Sequence, residues 1–126
     1  MLKKLFIGTV CLLSCVNLFA QNPGTDASDC VRQSVNGYKV TLTNVCSEKI
    51  FVIYCGNLRW SNSGCGDYEG GGYYTHSNNI QPGGSTWFDL KDNGRYAYGA
   101  CYGSISFGKK GYFEDYPNGN YECLAN

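Results

Sequence analysis

Six cysteines follow residue 20, at Cys30, Cys46, Cys55, Cys65, Cys101 and Cys123, and no other feature constrains the fold so strongly. An even number of thiols in an exported chain of about a hundred residues is the mark of a disulfide framework, which a domain of this size needs only moderately. Three disulfides are therefore expected. Fifteen pairings are open to six cysteines, and the short interval favours only a local Cys55–Cys65 loop. Each bridge would contribute about 2–4 kcal/mol by restricting the unfolded chain. Oxidation also removes these sulfurs from chemistry. A cysteine nucleophile would need a free thiolate beside the single histidine, His76, and a zinc site would need a pair such as C-x-x-C, which the sequence lacks. No metal and no cofactor is expected.

Export is predicted by the N-terminus. Lys3 and Lys4 precede an apolar run from Leu5 to about Leu13, and small and polar residues lead to Ala20. This is a signal peptide over residues 1–20, too short for an ordinary transmembrane helix. Cleavage after Ala20 would leave a secreted or periplasmic chain beginning at Gln21. The alternative is Leu12–Cys15, LLSC, which is similar to a lipobox; Cys15 would then be lipidated and anchor the protein at the cell envelope. A membrane is a partner only in that second case. Residues 21–29 read as a flexible leader rich in turn formers, and residues 30–126 as a single β domain. Without Lys3 and Lys4, eight basic residues face ten acidic ones, a net charge of −2. No basic stripe follows a phosphate backbone, so nucleic acid is excluded as a partner.

Nowhere beyond Cys30 do apolar residues recur at helical spacing. Short β-branched and aromatic runs recur instead, with turn signals between them. Tyr38, Val40 and Leu42 alternate with Lys39, Thr41 and Thr43, which predicts a strand with one wet face. Ile50–Cys55, IFVIYC, has no polar alternate and predicts a central strand buried on both sides. Ser85–Lys91 and Arg95–Tyr102 flank Asp92-Asn93-Gly94, a tight hairpin signal. The runs SISF, GYFED and NYEC follow, the last two separated by the turn formers Pro117 and Gly119. The fold class is all-β, a small disulfide-stabilised antiparallel β-sandwich or barrel.

Gly56–Gln81 is expected to be a long glycine- and asparagine-rich loop, carrying Trp60, Tyr68, Tyr73, Tyr74 and His76. Long loops in compact domains often carry function. Its EGGG run lacks the strand-to-helix context of a phosphate loop. Eleven tyrosines and two tryptophans supply flat faces with polar edges, suited to sugars and to protein surfaces. If extended, Tyr73 and Tyr74 point to opposite faces, so at most one belongs to the core. The candidate binding residues are Trp60, Tyr68, Tyr73, Tyr74, His76 and Trp87. Asp67 and Glu69 are the carboxylates a weak hydrolase would use, but no catalytic residue is assigned.

VTLTNVCSEKIFVIY, then IQPGGSTWFDL and GRYAYGAC, together resemble the opening part of thaumatin-like proteins. The matching residues are Asn44, Cys46, Pro82, Gly83, Gly84, Ser85, Trp87, Gly94, Arg95 and Cys101, and they span roughly half of the mature chain. The resemblance implies a β-sandwich with affinity for cell-wall glucans and transfers no catalytic residue. The expected function is an exported binding or interaction module for carbohydrate or a protein surface. The alternative is an effector, toxin or protease inhibitor acting on another protein.

Overall fold

The computed structural model describes residues 24–67, 72–92, 94–105 and 113–124. A 3₁₀ turn, Ser28–Cys30, leads into eight strands: β1 (Val31–Asn36), β2 (Lys39–Asn44), β3 (Ile50–Gly56), β4 (His76–Ile80), β5 (Ser85–Asp89), β6 (Tyr96–Tyr102), β7 (Phe113–Asp115) and β8 (Tyr121–Cys123). Every pairing is antiparallel. One sheet has the order β1-β2-β5, a second β4-β3-β6, and β7 and β8 form a separate hairpin. The signal peptide and lipidation readings fall on residues outside those described.

β3 explains the layering. Its side chains are apolar on both faces, so each face needs a cover. Ile50 and Val52 pack with Val40, Leu42 and Phe88 of the first sheet. Phe51, Ile53 and Cys55 pack on the other side, where Tyr74 and the hairpin residues Phe113, Tyr121 and Cys123 close over them. The middle sheet is thus sandwiched between a sheet and a hairpin. The buried run expected for IFVIYC is this strand, and the wet-faced strand is β2, with Val40, Leu42 and Asn44 inward.

Three disulfides pair Cys30 with Cys46, Cys55 with Cys65 and Cys101 with Cys123. The first ties the entry of β1 to the end of β2, and the second closes the loop after β3. The third fastens β8 to β6. Tyr102 donates its hydroxyl to Cys30 Sγ at 3.0 Å, seating the first bridge against β6.

Several local expectations need correction. The Asn93-Gly94 signal does not make a hairpin, because β5 pairs with β2 and β6 with β3. Gly94 N–H closes a turn onto Lys91 C=O at 2.8 Å, and the chain passes from one sheet to the other. The tight two-residue hairpin lies at Gly37-Tyr38 between β1 and β2, with Gly37 at φ +63°. His76–Ile80, expected within the loop, is strand β4. Ser104 and Ile105 of the SISF run are irregular; the Asn79 side chain brackets Ile105 instead, accepting from its N–H at 2.9 Å and donating to its C=O. Part of the expected leader is packed. Tyr102 N–H bonds Thr25 C=O and Ala27 N–H bonds Ala100 C=O, both at 2.9 Å, so Thr25–Ala27 form a strap along β6 with Ala27 buried.

Candidate binding surfaces

The first surface is the outer face of sheet β1-β2-β5. Because Val40, Leu42 and Phe88 point inward, their alternates point out. Register aligns them in rows: Asn36, Lys39 and Asp89; Ser34, Thr41 and Trp87; Arg32, Thr43 and Ser85. Thr43 and Ser85 share a hydroxyl hydrogen bond of 2.8 Å. Trp87 is 54% exposed, and Lys39 Nζ lies 4.5 Å from its ring centroid. An indole of this exposure, set among hydroxyls and a cation, offers a flat apolar surface with hydrogen-bonding groups around it.

The loop after β3 reaches the end of the same sheet. Leu58 bridges Leu90, and Arg59 N–H donates to Asp89 C=O at 2.8 Å. Arg59 also stacks on Tyr38, 4.9 Å from its centroid. Trp60 follows directly and is 82% exposed. It lies inside the loop closed by Cys55–Cys65.

The other loop aromatics have structural partners. The Tyr73 and Tyr74 amides both donate to Asp115 Oδ2, at 2.6 and 2.8 Å. Tyr74 is only 8% exposed and donates its hydroxyl to Gly119 C=O at 2.6 Å, while Tyr73 is half-buried. This pair docks the β7–β8 hairpin. His76 stacks on Tyr54 at 5.2 Å, and Tyr54 stacks on Phe88 at 4.7 Å. Desolvation lowers the His76 pKa below its ordinary 6.5 and raises that of Tyr54. Tyr68 and Glu69 lie outside the described residues. Asp67 is exposed and accepts the Gly64 amide at 2.8 Å.

A second surface went unread in the sequence. An open cleft of about 480 Å³ lies where the strap, β6 and the hairpin meet, lined by Asp26, Ser28, Tyr74, Tyr98, Asn120 and Tyr121 among others. Asp26 Oδ1 accepts the Tyr121 hydroxyl, and its Oδ2 accepts Ser28 Oγ–H at 2.6 Å. Burial, aided by the bond to Asp26, pushes Tyr121 up to about 12, so the phenol keeps its proton. Gly99 is the one trace in the sequence: a bare position in a tyrosine-rich strand admits a ring, and a Cβ there would lie 2.6 Å from Tyr121 Cζ.

Comparison with family models, with curated proteins and with solved structures returned no significant match. Three disulfides suit a small module of an oxidising compartment. Among the described residues no helix is long and apolar enough to cross a membrane, and no three metal-ligating side chains gather.

Proposed function

We propose that this protein is an exported binding module that recognises carbohydrate at the cell envelope through the Trp87 face, with Trp60 at its margin. The observation that carries this reading is the central row Ser34, Thr41 and Trp87, an exposed indole in line with two hydroxyl side chains on one sheet face. Sugars present axial C–H groups to an aromatic plane and hydroxyls to its surroundings, and this row supplies both partners. The likeness to thaumatin-like proteins around Asn44, Cys46 and Trp87 favours glucans within that class.

Co-sedimentation with insoluble β-glucan tests it. Trp87→Ala is expected to weaken retention at least about tenfold while leaving the denaturation midpoint unchanged, because the indole stands outside the core. Equal retention of Trp87→Ala and the native protein would exclude this face.

The position of Trp60 favours one second reading, an inhibitor or effector that acts on a protein. Its 82% exposed indole is held in a disulfide-closed loop, which lowers the ordering cost of inserting it into a target. In that case glucan retention is absent from the outset, and activity on the target falls with Trp60→Ala but not with Trp87→Ala.

A further inference from the structure

The cleft between the strap, β6 and the hairpin lies away from the Trp87 face, and its chemistry differs. Asp26 is the one charged side chain among its lining residues. The carboxylate is held by Tyr121 and Ser28 rather than by a cation. Tyr74 and Tyr121 stand almost perpendicular, at 89° and 6.2 Å between centroids.

The edge of β6 contributes as well. Ala100 N–H bonds the Tyr121 hydroxyl at 3.2 Å, Ala100 C=O accepts from Ala27, and Tyr102 N–H bonds Thr25, so these groups point away from β3. Alternate residues of a strand send their backbone groups to the same side. Tyr98, two residues before Ala100, therefore aims its C=O off the same edge, and Tyr98 is among the residues that line the cleft. Among the described residues no backbone group outside the sheet ladder bonds that C=O. Asn120 also lines the cleft.

We infer that this cleft is a binding site for a primary ammonium group, carried on an alkyl chain or on a sugar. An ammonium has three donors and no acceptor, and the cleft's lining brings the Asp26 carboxylate, the Tyr98 main chain and the Asn120 amide together beside tyrosine rings. A neutral hydroxyl ligand would leave the carboxylate charge uncompensated. The two carriers share the recognised group and differ only in what lies beyond the cleft.

The test is titration of the ¹⁵N-labelled protein with n-butylammonium and with glucosamine, against n-butanol and glucose at matched ionic strength. Saturable shifts of the Tyr98, Asn120 and Asp26 amides are expected with the amines and not with their neutral counterparts. Response to both amines marks the ammonium alone as recognised; response to one identifies its carrier. Asp26→Asn, which keeps an oxygen for the Tyr121 hydroxyl, should weaken binding roughly tenfold. Asn120→Asp, at an exposed turn position, should strengthen it severalfold and guards against misfolding of the Asp26 variant. Absence of saturable shifts with either amine, equal binding of the neutral compounds, or indifference of affinity to Asn120→Asp would overturn the proposal. None of these outcomes depends on glucan retention, so this site and the Trp87 face stand or fall separately.

Discussion

Asn44 is fully buried at the end of β2, and its side chain organises three segments. Nδ2 donates to Glu48 C=O at 2.8 Å and to Ile80 C=O at 3.1 Å, and Oδ1 accepts from Cys46 N–H at 3.0 Å. Removing it orphans buried partners. Asn44→Ala should cost about 3 kcal/mol in chemical denaturation. Asn44→Asp should be no milder, since a carboxylate cannot donate to either carbonyl. His76 makes a different prediction. Its folded pKa lies below its unfolded value, so the neutral ring stacked on Tyr54 contributes stability that is present above pH 6.5 and lost as pH falls below it. The single imidazole should titrate with a midpoint below 6.5 by NMR. Tyr121 has the opposite sign. Its folded pKa of about 12 exceeds the unfolded 10.0, so its contribution is complete below pH 10 and is lost as pH rises toward 12. Tyrosinate absorbance should show a component titrating near 12 that disappears in Tyr121→Phe.

The β7–β8 hairpin has only three residues in each strand, too few to be stable alone. It is held by Cys101–Cys123, by the Asp115 bonds to the Tyr73 and Tyr74 amides, and by the Tyr121 ring over Gly99. Gly99→Ala inserts a Cβ into that ring and should destabilise by about 1–3 kcal/mol through overpacking. The effect should be much smaller in a Tyr121→Ala background, where the clash is gone, and a double-mutant cycle measures that coupling. Replacing Cys101 and Cys123 together by alanine should cost about 2–4 kcal/mol. Amide exchange should then quicken first in β7 and β8. Turns were less legible than strands. The Asn93-Gly94 signal predicts a hairpin, yet the strands on either side of it belong to different sheets, because partners are chosen by which strands bury each other's faces.

Across the whole molecule, the three staples predict that alkylation of the native protein labels no cysteine among the six until a reductant is added. Mass measurement before and after reduction checks this directly. The all-β class, buried β3, half-wet β2, the Pro117–Gly119 turn and the Cys55–Cys65 loop were legible in the sequence. Each depends on alternation, composition or short chain separation, which are local. Trp60 and Trp87 were named in the sequence as candidate binding residues, and their exposure is what the structure adds. What tertiary structure alone decided lies at longer range. The Cys30–Cys46 and Cys101–Cys123 pairings, the strap on β6, the use of Tyr74 as a hairpin anchor and the meeting of Asp26 with Tyr121 join residues up to 95 positions apart. Such contacts follow from how sheets stack to cover both faces of β3, a global packing condition that no local pattern of residues encodes.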